Sequence, residues 1–329
     1  MTVEQTVEHP PRNIGLDLVR VTETAALAAG HWLGSGDRDA AHRAATRAMA
    51  SALDTLDMDG RIVIGEDREM NGRSLLSSGQ KVGNGNGPEV DLAVDPIDGT
   101  NLLIKGRPGA ISVVGITPRG TLWSPGPAAY MEKIIVDQEA AQALVPECLD
   151  APAAWTLALI ARVKEKAVRD LTVIVLDRPR NEPLIQEIRD TGAHILLKDE
   201  GDAEGALVTL SPGTGVDILM GIGGAHQGVL AACAVKAMNG GMLARLSPQT
   251  NEERLTVQEA GLDVKRIMTC SELVRTDEIF FAATGITDSA LLPAMRFRSD
   301  WAETHSLLIR SETGTRRFIH AEHGVRVKP

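Results

Sequence analysis

The sequence contains little cysteine and few aromatic residues. Its three cysteines, Cys148, Cys233 and Cys270, are odd in number and widely spaced. Neither a disulfide framework nor a CxxC zinc site is therefore indicated. Four Trp, four Phe and one Tyr leave the core to be built mainly from Val, Ile, Leu and Ala. Together with 32 Gly and 16 Pro for turns, this composition is typical of a layered α/β protein.

Long apolar runs and excess basic charge are also missing. No segment reaches the ~18 apolar residues that a membrane-spanning helix needs, and residues 1–12 are polar, unlike a signal peptide. We therefore predict a cytoplasmic protein with no membrane association. A net charge of −10 argues against a nucleic-acid partner, because phosphate backbones are bound by clustered Lys and Arg. It is compatible with a phosphorylated small molecule, and excess acids could bind divalent metals.

Strand and helix patterns alternate along most of the chain, which predicts a layered α/β sheet. We treat residues 1–13 as a flexible N-terminus and 14–329 as one fold, with two sub-domains meeting near 150–170 as an alternative. Asp39 is predicted to cap the second helix. Apolar spacing predicts helices over 14–33, 40–56, 151–167, 181–191, near 203 and over 228–237, and strands over 61–65, 91–94, 110–117, 133–136, 171–176, 194–197 and 216–220.

The strongest chemical signal is Asp-Pro-Ile-Asp-Gly-Thr at 95–100. The carboxylates of Asp95 and Asp98, stiffened by Pro96, have a spacing that could ligate two hard cations. Glu66 ends the preceding predicted strand, and two such strand ends can converge. The alternative is an ordinary Asx turn, and Glu66 makes us prefer the metal site.

The residues that follow these acids suit a phosphate. The N–H groups of Gly99, Thr100 and Asn101 could open a helix and bind a phosphate oxygen there. The hydroxyl of Thr100 would then lie near the attacking water.

Glu66 and the stretch 94–100 resemble the signature of the lithium-sensitive, metal-dependent phosphatase superfamily, which includes inositol monophosphatases and fructose bisphosphatases. Further stretches narrow the resemblance to the class II fructose-1,6-bisphosphatases of bacteria, whose pathway is gluconeogenesis. The resemblance implies an α/β sugar-phosphatase fold with layers in the order α-β-α-β-α. The stretches that carry it are 57–60, 130–133, 179–180, 221–225 and 283–287.

The resemblance also implies roles for single residues. It makes Glu66, Asp95 and Asp98 metal ligands, and it places Thr100, Glu66 and Asp95 in the catalytic group. Glu200 and Asp202 match a pair of acids that hold sugar hydroxyls. The residues implied to contact the sugar phosphate are Asp98, Gly99, Thr100, Asn101, Tyr130, Arg178, Arg180, Glu200, Asp202, Gly223 and Gly224.

Arg178 stands where the family has Lys, and a guanidinium suits a phosphate at least as well. Without the resemblance, Arg178-Pro179-Arg180 would be interpreted as a solvated loop after a strand.

Three positions depart from the family pattern. His42 stands where the family has an Asp ligand, Arg68 where it has a second acid, and Gln227 where it has a Glu ligand. In one outcome His42 and Gln227 join the metal site, which would then favour Mn²⁺, Co²⁺ or Zn²⁺ over Mg²⁺. In the other, fewer ions bind and Arg68 replaces one of them as an electrostatic clamp.

These observations predict metal-dependent hydrolysis of a phosphate monoester on a sugar phosphate, either fructose 1,6-bisphosphate or a related sugar or cyclitol phosphate. The expected cofactor is a divalent metal, Mg²⁺ or Mn²⁺. The expected partner is a small-molecule sugar phosphate, and the family suggests a homo-oligomer. Two alternatives stay open: a catalytically weakened sugar-phosphate-binding protein and an inositol-monophosphatase-like enzyme.

Overall fold

A computed structural model describes residues 14–66 and 74–324 of the chain. The described helices are α1 Gly15–Gly30, α2 Arg38–Leu53, α3 Thr100–Ile104, α4 Ala153–Val163, α5 Glu182–Asp190, α6 Asp202–Leu210, α7 Ala225–Ala237, α8 Asn251–Glu259 and α9 Cys270–Leu273. The described strands are β1 Asp59–Ile64, β2 Lys81–Val82, β3 Glu89–Asp98, β4 Ile111–Pro118, β5 Tyr130–Val136, β6 Thr172–Leu176, β7 His194–Lys198, β8 Ile218–Gly224, β9 Gly241–Leu246, β10 Met268–Thr269, β11 Phe280–Gly285, β12 Arg296–Phe297, β13 Trp301–Arg310 and β14 Thr315–Gly324.

The strands form two mixed sheets. The first sheet has the order β12-β13-β11-β4-β3-β1-β2, and β14 pairs with β13. The second sheet has the order β10-β9-β5-β8-β6-β7. The chain leaves the first sheet after β4 and returns to it at β11, so the C-terminal strands complete the sheet that the N-terminal strands begin.

Apolar side chains join the helices and sheets into five layers. Helices α1 and α2 pack on the outer face of the first sheet, where Leu18 and Met49 meet Leu92. Helices α6 and α7 are sandwiched between the sheets, and their residues share one cluster with side chains from both. Helices α4 and α5 cover the outer face of the second sheet, where Leu157 and Ile188 belong to the same buried cluster. The predicted α-β-α-β-α fold is therefore confirmed.

The predicted elements up to residue 237 are all present, with shifted ends. The prediction that Asp39 caps α2 is wrong. Asp37, not Asp39, is the N-cap, and its Oδ1 accepts a hydrogen bond from the Ala40 N–H at 2.9 Å. Asp37 has the extended backbone that a cap requires, whereas Asp39 already lies inside the helix.

The strand predicted over 91–94 is longer than expected. Strand β3 extends from Glu89 to Asp98, and its register against β4 shifts between Asp95 and Asp98. Pro96 lies in that shift, where a residue without an N–H is tolerated because the ladder is already interrupted. The acidic motif is thus an irregular strand end rather than a free loop.

The predictions for the N-terminus and for the sub-domain boundary are not tested by the structure. The flexible N-terminus predicted at 1–13 lies outside the described residues. The sub-domain boundary near 150–170 stays a prediction. Among the described residues, none of the helices combines the length and apolar character needed to cross a bilayer.

Phe281 provides a test of the packing between the first sheet and the middle helices. It is fully buried in β11, whereas Phe318 in β14 is 63% exposed. We expect Phe281→Ala to lower the free energy of unfolding by about 3–5 kcal/mol, because it removes a large side chain and leaves a cavity. The matched control Phe318→Ala should change it by less than about 1 kcal/mol. Urea denaturation measures both values, and equal losses would contradict this packing.

Candidate active site

The acids of the motif meet because two neighbouring strands end together. Strands β1 and β3 are parallel, with Ile64 paired to Ala93. Glu66 lies two residues after the end of β1, and its N–H donates to the Leu76 carbonyl at 3.0 Å. Asp95 lies two residues beyond Ala93 in β3. The two carboxylates therefore come to the same edge of the sheet, as the sequence predicted.

Asp95 is buried, with 4% of its surface exposed. Its Oδ1 accepts from the Ile97 N–H at 3.0 Å, and its Oδ2 lies 3.5 Å from Nε2 of Gln227 on α7. Burial, followed by repulsion from Glu66, raises the pKa of Asp95 to about 8. In the absence of a cation, Asp95 therefore holds a proton at neutral pH.

Asp98 binds the start of a helix. Its Oδ2 accepts from the N–H groups of Ala203 and Glu204 at 2.9 and 3.1 Å, at the N-terminus of α6. These bonds stabilise a carboxylate. Burial, and then repulsion from Asp95 and Asp202, nevertheless raises the pKa of Asp98 well above its ordinary value. One oxygen of Asp98 thus has a structural role, and the other is left for a ligand.

The three predicted metal ligands do not converge on one point. Within 14–66 and 74–324, no set of three ligand atoms that includes Glu66, Asp95 and Asp98 lies within 4.8 Å. Asp95 interacts with both of the other acids: repulsion from Glu66 raises the pKa of Asp95, and repulsion from Asp95 raises the pKa of Asp98. This arrangement suits two separate ion positions better than a single ion held by all three.

Two of the residues that depart from the family pattern face this edge. Nε2 of His42, on α2, lies 3.7 Å from Glu66 Oε2. Gln227 presents its amide nitrogen to Asp95, so ligation through its oxygen would require the amide to rotate. Arg68 falls outside the described residues.

Hydrogen-bond donors in the turn after the acids already bind other groups of the protein. Gly99 has a φ of 90°, a left-handed conformation that favours glycine, and it caps α3. The Asn101 N–H donates to Glu200 Oε2 at 3.0 Å, and the Asn101 side-chain amide donates to Glu200 Oε1. The Thr100 hydroxyl donates to the Ile97 carbonyl at 3.2 Å. A phosphate at the Asn101 N–H would have to displace Glu200.

The second sheet contributes the cationic side of the site. The Arg180 guanidinium lies 4.7 Å from the centre of the Tyr130 ring, and its Nε donates to the Ile222 carbonyl at 3.0 Å. These two contacts fix the guanidinium plane and leave its other N–H groups for a ligand. Arg178 Nη2 lies 3.4 Å from Glu200 Oε1. Both arginines follow β6, and neither lies in an unattached solvated loop.

Asp202 forms an ion pair that the sequence did not predict. Its Oδ1 lies 2.9 Å from Nζ of Lys133, which is 1% exposed, and its Oδ2 accepts from the Gly224 N–H at 3.1 Å. A Cβ at Gly223 would lie 2.2 Å from Asp202 Oδ2, so the approach requires glycine. Lys133 carries a charge within the apolar run of β5, and that was the signal available in the sequence.

These side chains surround one cavity of about 510 Å³ between the ends of the two sheets. Acids come mainly from the first sheet and the start of α6, and arginines come from the second sheet. Residues that line the cavity include His42, Glu66, Asp95, Asp98, Thr100, Tyr130, Arg178, Arg180, Glu200, Asp202, Gly224 and Gln227.

A divalent cation fits the acidic side of the cavity. Asp95 and Asp98 are hard oxygen donors, and their raised pKa values show that buried negative charge there lacks compensation. A bound cation would replace the protons and favour the ionised carboxylates.

The layered fold and a cavity with acids on one side and arginines on the other define a phosphatase of phosphorylated sugars. The chain belongs to the family described as bacterial fructose-1,6-bisphosphatase, glpX-encoded, whose model matches residues 12–323. It is 39% identical to a class 2 fructose-1,6-bisphosphatase of Haemophilus influenzae, over 95% of this chain and 96% of that protein. It is 37% identical to a class 2 D-fructose 1,6-bisphosphatase/sedoheptulose 1,7-bisphosphatase of a Synechococcus species, over 94% and 95%. A class 2 fructose-1,6-bisphosphatase of Escherichia coli is 36% identical, over 95% of each chain.

The raised pKa of Asp95 predicts a pH-dependent stability in the metal-free protein. An unfolded Asp releases its proton near pH 3.9, whereas folded Asp95 holds its proton up to about pH 8. The stabilisation is complete below the unfolded value and is lost as pH rises through the folded one. We expect the metal-free protein to be less stable at about pH 8 than at about pH 5, by on the order of a few kcal/mol.

Asp95→Asn should reduce this loss of stability at high pH. Part of the loss should persist in the variant, because the pKa of Asp98 is raised as well. The matched control is Asp277→Asn, since the Asp277 side chain is 92% exposed. Urea denaturation across this pH range, in the presence of a chelator, provides the measurement. A pH profile that Asp95→Asn leaves unchanged would assign the effect to another group.

Proposed function

We propose that this chain is a metal-dependent phosphatase that hydrolyses a phosphate monoester of a sugar bisphosphate within the cavity between its two sheets. The observation that carries the proposal is that acids at the ends of β1 and β3 and arginines after β6 line one cavity. A sugar bisphosphate has an anion at each end. One end would meet the cation at the acids, and the other would meet the guanidinium groups.

The acidic side would carry the reaction. A divalent cation, when bound, supplies Lewis-acid chemistry that neutralises charge on the phosphoryl oxygens. Glu66, Asp95 and the free oxygen of Asp98 are the proposed ligands. Thr100 donates its hydroxyl proton to the Ile97 carbonyl, so its oxygen is oriented to accept a hydrogen bond from the attacking water. Thr100 is thereby proposed to orient that water for in-line attack.

The cationic side would determine which substrates bind. Arg180, fixed on Tyr130 and by the Ile222 carbonyl, is proposed to bind the remote phosphate together with Arg178. Glu200 and Asp202 are proposed to hold sugar hydroxyls, and Gly223 and Gly224 to permit close approach of the substrate to the backbone. Fructose 1,6-bisphosphate and sedoheptulose 1,7-bisphosphate, named for the relatives, are the proposed substrates.

The cation is proposed to be Mg²⁺ or Mn²⁺. Carboxylate oxygens suit both ions, whereas an imidazole from His42 and an amide oxygen from Gln227 would shift the preference towards Mn²⁺. A cytoplasmic location and a homo-oligomeric assembly stay predictions from the sequence.

The central test is phosphate release from the two bisphosphates, measured with Mg²⁺ and with Mn²⁺. The native chain should release phosphate, and Asp95→Asn should lower kcat/KM by about 100-fold or more because it removes a ligand charge. Asp277→Asn serves again as the exposed control and should keep full activity. Binding of a bisphosphate without phosphate release would overturn the hydrolase assignment and support a binding protein.

A second test concerns the remote phosphate. Arg180→Ala should raise KM for a sugar bisphosphate by roughly 10- to 100-fold through loss of a charge-assisted contact. KM for the matching monophosphate should change far less. Arg180→Lys should restore only part of the affinity, because an ammonium lacks the planar fork. The control is Arg169→Ala, whose side chain is 80% exposed. Equal changes in KM for both substrates would place Arg180 away from the remote phosphate.

A further inference from the structure

Two histidines and a glutamate form a cluster at the edge of the first sheet, outside the proposed active site. Glu303 and His305 lie on β13, and His320 lies on β14. One ligand atom from each lies within 4.8 Å of the other two. Among residues 14–66 and 74–324, this is the one set of three His, Cys, Asp or Glu side chains that meets this distance.

The strand register creates the cluster. His305 and His320 are direct cross-strand partners in an antiparallel pair, and Glu303 is directly opposite Glu322. Residues directly opposite one another, and those two apart along a strand, project from the same face. All four side chains therefore share one face of the β13-β14 ribbon. Backbone hydrogen bonds hold that ribbon in a ten-residue register, so the three side chains are neighbours, and a rotation of one imidazole ring would direct both nitrogens to one ion.

The contacts within the cluster leave donor atoms available for an ion. Glu303 Oε1 lies 3.1 Å from His320 Nε2 and 3.5 Å from His305 Nε2. The two imidazole rings are stacked at 4.9 Å between centroids, nearly parallel at 7°. Nδ1 of His305 is buried and has no hydrogen-bond partner in the described part of the chain. A single carboxylate between two imidazoles thus satisfies only part of their hydrogen-bonding capacity.

We propose that Glu303, His305 and His320 bind a divalent transition-metal ion of the Zn²⁺ type. Two neutral imidazoles and one carboxylate form a common zinc donor set, with water or Glu322 available for a fourth position. Nitrogen donors favour such ions over Mg²⁺ and Ca²⁺. The site therefore differs chemically from the oxygen donors Glu66, Asp95 and Asp98.

The site is also separate in space. Strand β13 is three positions from β3 in the first sheet, which corresponds to roughly 14 Å at ~4.8 Å per strand. Strand β14 pairs with β13, and an ion between them would connect the outer strand to its neighbour. We therefore expect zinc to stabilise the outer ribbon and to leave hydrolysis at the cavity unchanged.

The test uses the full chain and measures bound zinc by elemental analysis after equilibrium dialysis. Millimolar Mg²⁺ is present in order to occupy the oxygen ligands of the cavity. His320→Gln should lose about one Zn²⁺ per chain relative to the native protein, because a neutral amide is a weak zinc ligand. His320 is suitable because its side chain is 52% exposed, so the substitution leaves the core intact. His305→Gln should cause the same loss.

The matched control is His194→Gln, which changes an exposed strand histidine in β7 and should keep the native stoichiometry. Zinc should raise the melting temperature of the native protein more than that of His320→Gln. Phosphate release by His320→Gln in Mg²⁺ should equal that of the native chain. Equal zinc content in the native protein, in His320→Gln and in His305→Gln would overturn the proposal and leave the cluster as an ordinary His-Glu contact. Because zinc binding is measured without substrate, this result is independent of the proposed hydrolysis.

Discussion

Repulsion between buried carboxylates is the constraint on which the rest of the site depends. Asp95 and Asp98 lie in one strand end, both buried. Burial, followed by repulsion from Glu66, raises the pKa of Asp95, and burial, followed by repulsion from Asp95 and Asp202, raises the pKa of Asp98. Carboxylates in such a place cost stability unless a proton, a helix N-terminus or a cation compensates them. The structure uses the first two in different ways. Asp95 accepts from the N–H of Ile97, which lies in β3, and its raised pKa favours the protonated form, whereas Asp98 accepts two N–H bonds from α6.

The bond from Asp98 to α6 also connects the two halves of the cavity. Helix α6 lies between the sheets, and its first residue, Asp202, pairs with Lys133 on β5 of the second sheet. The acidic motif on the first sheet is thus linked through one helix N-terminus to the strand that presents Tyr130. A change of charge at Asp95 or Asp98 would therefore act on the helix that positions the substrate side as well as on the cation.

The sequence predicted the parts of this arrangement that depend on local pattern. Alternating strands and helices indicated the layers, and the spacing of Asp95 and Asp98 after a strand indicated the acidic edge. Contacts between distant segments were not predictable in the same way. Nothing local indicates that Glu200 binds Asn101 or that Lys133 pairs with Asp202, because these contacts depend on how the second sheet packs against the first. The irregular end of β3 was missed for a related reason, since a strand that continues through Pro96 is recognised only from its pairing with β4.

The same electrostatics bear on two side chains near the acids that are not themselves acidic. His42 and Gln227 stand where the related phosphatases are expected to have acids, and both face the carboxylates, His42 beside Glu66 and Gln227 beside Asp95. Additional acids there would add repulsion to a site that already raises the pKa of Asp95 to about 8. An amide that donates to Asp95 lowers that pKa instead.

The replacement of two acids by His42 and Gln227 also removes two negative charges that would attract a cation. Fewer carboxylates reduce the repulsion within a metal-free site, and the binding of a hard ion such as Mg²⁺ in general depends on carboxylate charge. A softer ion depends on that charge less, because imidazole nitrogen is a good donor for it.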